Sequence, residues 1–201
     1  MQKWQIRIGL SIGVIVIAMI AFVYFIGNNV PTDDPQPAYI TAQATNRVKF
    51  PKLRGTNLSF EQVVIPDDLG DNVKLIVISY DDAQQPTVND WLPPLEALNE
   101  KYPMLAGYYV PLLPKDSADA AAFIIGGFAA LASENERART VIVFTNVDIF
   151  NELVGIENKD EIQLFFLNTD DTIVWHTSGS YTAEKLAELE AQLSMILTEQ
   201  E

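Results

Sequence analysis

The chain has 201 residues, 48% of them apolar and 20% charged, with 27 acids against 13 bases and a net charge of −14. That balance is globular rather than disordered, and the length suits one domain with an appendage. The absence of cysteine excludes disulfides, thiol nucleophiles, iron–sulfur clusters and cysteine zinc sites. The acidic surplus, with no basic patch interleaved with aromatics, argues against nucleic acid as a partner.

Read from the N-terminus, "IGLSIGVIVIAMIAFVYFI", Ile8 to Ile26, holds Ser11 as its one polar side chain. As a helix it spans about 28 Å, the thickness of a bilayer core. It is longer than the hydrophobic stretch of a cleaved signal peptide, so a retained membrane anchor is expected. Lys3 and Arg7 precede it, and the following "GNNVPTDDPQPA" contains no base. The positive-inside rule therefore places the N-terminus in the cytoplasm and the rest of the chain outside the cell membrane. Residues 1–27 read as the anchor, and residues 28–56, with Pro31, Pro35, Pro37 and Pro51, as an extended tether. Residues 57–201 read as the folded domain.

The domain is expected to start near Leu58, where "NLSFEQVVIPDDL" suits an edge strand or hairpin. "KLIVISY", Lys74 to Tyr80, is a β-branched run of buried-strand length. A helix is expected over Thr87 to Lys101, with Pro86 in its first turn and Pro93 and Pro94 kinking or splitting it. "LAGYYVPLL", Leu105 to Leu113, predicts a second strand. Ser117 to Arg139 then carries apolar residues at helical spacing, interrupted by Gly126 and Gly127. "TVIVFTN" predicts a third strand and "DIFNELVGI" a short helix. "IQLFFLN" and "TIVWHTS" flank the turn residues Asp170 and Asp171 as an antiparallel hairpin. A last helix follows from Thr182, a good N-cap, with Leu186, Leu189, Leu193 and Ile196 on one face. This order describes an α/β fold with a mixed sheet flanked by helices.

The order of elements resembles the thioredoxin-like superfamily. Matching "PPL" at Pro93 to Leu95 with the Pro-small-Leu of the membrane-tethered reductases puts their Cys-Pro-Pro-Cys box on Gln85, Pro86, Thr87 and Val88. One proline of the box survives and neither cysteine does. The cis-proline that those proteins carry before the hairpin has no counterpart in "NKDEIQLFF", Asn158 to Phe166. The segments "WLPP", "GGFAAL", "GIEN" and "IVWHTSGSYTAEKLAEL" are similar to the thioredoxin-like assembly factors of mitochondrial ATP synthase and their bacterial relatives. That resemblance implies a redox-inactive assembly or binding module, without a cofactor, whose partners include ATP-synthase subunits.

The corresponding contact surface is a groove around Asp82, Gln85, Pro86, Thr87 and Trp91. A competing reading places a metal or small-ligand enzyme on Asp81, Asp82 and His176, because strand ends of open α/β sheets bind ligands. Against it, adjacent aspartates on an extended chain point oppositely. His176, the one histidine, also lacks the sulfur partners that a Cu(I) site uses in the thioredoxin-like copper chaperones. Ser79 has no glycine-flanked elbow, and no Gly-x-x-x-x-Gly-Lys or Rossmann glycine set occurs. No cofactor is therefore expected.

Overall fold

A computed structural model describes residues 48–198. The expected anchor and most of the expected tether lie outside the described residues, among which no helix is long and apolar enough to cross a membrane. The strands are β1 (Leu53–Asn57), β2 (Gln62–Ile65), β3 (Val73–Ser79), β4 (Leu105–Pro114), β5 (Val141–Thr145), β6 (Gln163–Leu167) and β7 (Ile173–Ser178). The helices are α1 (Gln85–Lys101), α2 (Ala121–Leu131), α3 (Glu134–Arg139), α4 (Val147–Val154) and α5 (Ala183–Thr198). The strands form one seven-stranded sheet in the order β2-β1-β5-β4-β3-β6-β7.

β3 is buried along its whole length, as its unbroken apolar run requires of a strand covered on both faces. It pairs in parallel with β4 through the crossover helix α1, and antiparallel with β6. Its side chains alternate between two cores. Val73 and Leu75 meet Leu98 of α1 and Leu189 and Leu193 of α5. Ile76 and Ile78 meet Phe50, Ile65, Leu69 and Phe150 of α4. β6 and β7 form the expected hairpin, and Thr182 caps α5 by accepting a hydrogen bond from the Lys185 amide at 3.3 Å.

Three local expectations are corrected. Order begins before residue 57: Lys49 bridges Thr172, Phe50 is buried, and β1 joins β2 and β5. Residues 48–56 thus belong to the folded part and not to the tether. Gly55 lies in β1, where a Cβ would come within 2.6 Å of Val141 and 2.7 Å of the Ile142 carbonyl, so only glycine fits. Second, α1 is a single helix despite its internal prolines. The carbonyls that lose an amide partner, those of Asn89 and Asp90, belong to exposed residues, where solvent can supply the missing donor. Third, the 117–139 segment does not break at Gly126 and Gly127. It begins as a 3₁₀ stretch (Lys115–Ala120), runs through both glycines in α2, and breaks at Ala132–Ser133. There Ser133 and Glu136 form a reciprocal capping box that starts α3.

Candidate functional site

At the carboxyl end of β3 the chain leaves the sheet through Tyr80 and Asp81, makes a 3₁₀ turn (Asp82–Gln84) and enters α1. Asp81 caps this turn, its Oδ1 accepting from the Gln84 amide at 3.2 Å. Asp82 is exposed at the first position of the turn, and Pro86 is exposed in the first turn of α1. The turn is fixed from below by Gln84, a buried residue. Its Oε1 accepts from the Tyr80 amide at 2.8 Å, and its Nε2 donates to the Lys159 carbonyl at 2.9 Å. That second bond ties the β3–α1 turn to the loop that precedes β6.

Beneath the turn runs a chain of hydrogen bonds. The Tyr109 hydroxyl donates to Gln85 Oε1 at 3.1 Å, so Ser79, 2.8 Å away, donates to Tyr109. Gln85 Nε2 donates onward to Asn89 Oδ1 at 3.0 Å. Burial raises the Tyr109 pKa, a shift that the Ser79 hydrogen bond opposes. Burial likewise holds the Tyr80 hydroxyl well above its ordinary range. Tyr80 donates to Asn151 Oδ1 at 2.9 Å and acts as a neutral donor.

Trp91 corrects the groove expectation. It has no exposed surface, its Nε1 donates to the Gly179 carbonyl at 3.0 Å, and its ring meets Tyr181 edge-on at 5.3 Å. The helical spacing that puts Val88, Trp91 and Leu98 against the sheet removes Trp91 from any contact surface. Of the five groove residues, Asp82 and Pro86 are exposed and Gln85 and Thr87 half-buried.

His176 is held elsewhere. Gln163 spends its amide hydrogens on the carbonyls of Asn158 and Glu161, both at 3.0 Å, leaving Oε1 to accept from His176 Nε2–H at 2.9 Å. The imidazole also stacks on Phe165 at 4.6 Å; His176 keeps an exposed edge, and the partial desolvation of its ring lowers its pKa. Unfolded histidine titrates near 6.5, so between the depressed folded value and that pH the unfolded chain binds the proton more readily. Stability therefore falls as the pH drops through about 6.5. In urea titrations, the midpoint loss between pH 7.5 and 5.5 should be smaller in His176→Gln than in the parent; equal losses would contradict this environment. The same contacts commit His176 away from Asp81, whose carboxylate is used as a cap. Among the described residues no three His, Asp or Glu side chains converge on a metal position.

No protein-family model matches this chain, and no curated protein matches it by sequence. Solved structures do match. Yeast Sco1 with copper bound superposes with a TM-score of 0.51 over 73% of this chain and 93% of that one, at 10% identity. Arabidopsis thaliana ScoI with copper bound gives 0.51 over 74% and 99%, at 6% identity. The fold is thioredoxin-like. At these identities the likeness concerns architecture alone. A thiol:disulfide interchange protein DsbE from Chlorobium tepidum also matches, at 14% identity and a TM-score of 0.47 over 77% of this chain and 99% of that one.

In this domain with a thioredoxin-like fold, glutamines stand beside the end of β3, Gln85 at the start of α1 and Gln163 at the start of β6. Gln85 is clasped by Tyr109, while Val88, three residues on in the first turn of α1, is buried. Gln163 stitches the loop before β6, where no proline stands. Without cysteine, and with its histidine committed to Gln163 and Phe165, the chain's donor set does not fit the copper that the Sco structures hold. Gln84 has the sequence pattern of a solvated loop residue because it stands in a polar stretch, and Gln163 that of a solvent-facing strand position because it is the lone polar residue at the start of an apolar run. Their burial depends on partners 75 and 13 residues away.

Proposed function

We propose that the chain is a membrane-anchored, redox-inactive thioredoxin-like module that binds, and helps assemble, another membrane or envelope protein. One observation carries the reading: Gln85, Pro86, Thr87 and Val88, which the resemblance matches to the redox box, lie in an ordered, hydrogen-bonded turn with no sulfur. A rigid turn offering Asp82, Pro86 and the outer edges of Gln85 and Thr87 is suited to gripping a polypeptide, since little side-chain freedom is lost on contact. The apolar run Ile8–Ile26 supports the anchor, and the absence of bases just after it supports an extracytoplasmic domain. The similarity of "IVWHTSGSYTAEKLAEL" to the ATP-synthase assembly factors makes subunits of that enzyme the first partners to look for.

The test is crosslinking in intact membranes, washed with carbonate so that only integrated proteins remain, followed by mass spectrometry of what copurifies with the full chain. A double variant, Asp82→Lys with Gln85→Ala, should keep its circular dichroism spectrum and recover at least about fivefold less partner, a difference of about 1 kcal/mol. Undiminished recovery would remove the turn as the contact surface, and loss of the chain in the carbonate wash would remove the anchor.

A further inference from the structure

The ring of Tyr109 lies with Val77, Val88 and Trp91 between the sheet and α1. Phenylalanine would fill that space equally well, so what tyrosine adds is the hydroxyl. The residue is held by its backbone on both sides, by Val77 of β3 and by Thr140, so the side chain starts from a fixed point inside the sheet. Burial raises the hydroxyl pKa and keeps its one hydrogen in place. Ser79, 2% exposed, has its hydroxyl bonded within the protein, because a buried polar group without a partner is costly. It donates to Tyr109 at 2.8 Å, and the Tyr109 hydrogen goes to Gln85 Oε1 at 3.1 Å. A strand residue in the core thereby grips the first residue of α1 by its side-chain oxygen.

Fixing the oxygen also fixes the nitrogen. The two ends of a primary amide lie apart, so Gln85 Nε2 is turned away from Tyr109, and one of its hydrogens goes to Asn89 Oδ1 at 3.0 Å, one helical turn along. Asn89 accepts there and is left to donate. The second Nε2 hydrogen and both hydrogens of the Asn89 amide have no acceptor among the described residues. Asp81, Asp82 and Asp90 flank these donors in the chain and are exposed, and their charge disfavours an anionic acceptor. An uncharged carbonyl oxygen meets both conditions.

We infer that Tyr109 is the positioning residue of the turn: it holds the Gln85 amide oxygen inward, so that the turn meets its partner with N–H groups suited to a neutral carbonyl oxygen. This rests on the reading of the turn as the contact surface. Tyr109 touches no partner itself and acts through Gln85. With the glutamine already ordered in the free protein, binding costs little of its rotamer freedom. Without the hydroxyl, a side chain with three rotatable bonds has to be ordered at the moment of contact.

The readout is the yield, from full-length chain crosslinked in intact membranes, of the protein that copurifies with the parent. Tyr109→Phe should recover about three- to tenfold less of it, the effect of one long side chain left to be ordered on contact. Gln85→Ala should lose at least as much, and adding Tyr109→Phe to Gln85→Ala should lose no more, because the hydroxyl acts on recognition through Gln85 alone. The stability lost with the hydroxyl, followed by urea unfolding, should persist in the Gln85→Ala background, which separates positioning from a merely structural role. Gln85→Glu keeps an oxygen for Tyr109 and replaces the outward N–H group by a second oxygen, so it should recover as little as Gln85→Ala. Parental recovery by Tyr109→Phe, a further loss of equal size in the Gln85→Ala background, or parental recovery by Gln85→Glu would each overturn the inference and leave the turn as the contact surface. Undiminished recovery by Asp82→Lys with Gln85→Ala would remove the surface, and the inference with it.

Discussion

Trp91→Ala lowers the stability of the domain by about 3–5 kcal/mol, the cost of emptying a fully buried aromatic site. The indole contributes in three ways: it fills the space between α1 and the sheet beside Ile162 and Leu164, it meets Tyr181 edge-on, and it satisfies the Gly179 carbonyl. Removing it leaves that carbonyl without its donor as well as leaving a void. Trp91→Phe keeps most of the area and loses the hydrogen bond, so a smaller loss of about 1–3 kcal/mol is expected. Urea unfolding followed by circular dichroism measures both. A loss below about 1 kcal/mol for the alanine variant would contradict the packing. Reduced partner capture by Trp91→Ala would therefore report unfolding, and Asp82 and Gln85 are the positions at which recognition is tested.

The second large effect lies at the other end of β3. Lys74 has 1% of its surface exposed, and its Nζ reaches Asp171 Oδ1 at 2.7 Å. Asp171→Asn should cost about 3 kcal/mol, because it leaves a buried ammonium without its counter-charge. The substitution isolates charge from backbone effects: Asp171 has a φ of 66°, a conformation that asparagine also tolerates. Lys74→Met should be close to neutral, since a buried ion pair replaced by an apolar side chain of similar length often loses nothing. In the Lys74→Met background the Asp171→Asn cost should then nearly vanish. Equal costs in both backgrounds, measured by urea unfolding, would show that Asp171 acts through the turn and not through the lysine.

The strands and helices that an apolar period describes were legible in the residues: β3 and β4 from unbroken apolar runs, the β6–β7 hairpin from two such runs around Asp170 and Asp171, and α5 from its leucine spacing behind Thr182. β1 was not, because "LRGTN" is short and polar and is a strand only through its pairing with β2 and β5. Lys74 reads as the polar start of a strand, yet it is core, because its partner lies 97 residues later in a turn. The α2–α3 boundary, by contrast, was encoded locally: Ser133 followed three residues later by Glu136 is a helix-start signature within an otherwise helical pattern. For the candidate site, the sequence located the turn after β3 and the missing sulfur. The glutamines that organise the turn, and the burial of Trp91, came from contacts between distant segments.

The way the chain joins the sheet determines where a pull on it is felt. The Ile173 amide donates to the Val48 carbonyl at 2.9 Å, Lys49 bridges Thr172, and the Phe50 amide donates to the Asp171 carbonyl at 3.0 Å. The Phe50 ring then sits edge-on to Phe150 and Phe165. These contacts lie near Lys74 at the beginning of β3, whereas Asp82 and Gln85 follow its end, with most of the strand's length between them. Tension arriving through residue 48 is thus borne by a three-residue clip with an aromatic stop. The turn at Asp82–Gln85 is mechanically insulated from a pull applied at residue 48, and its shape need not change under that pull.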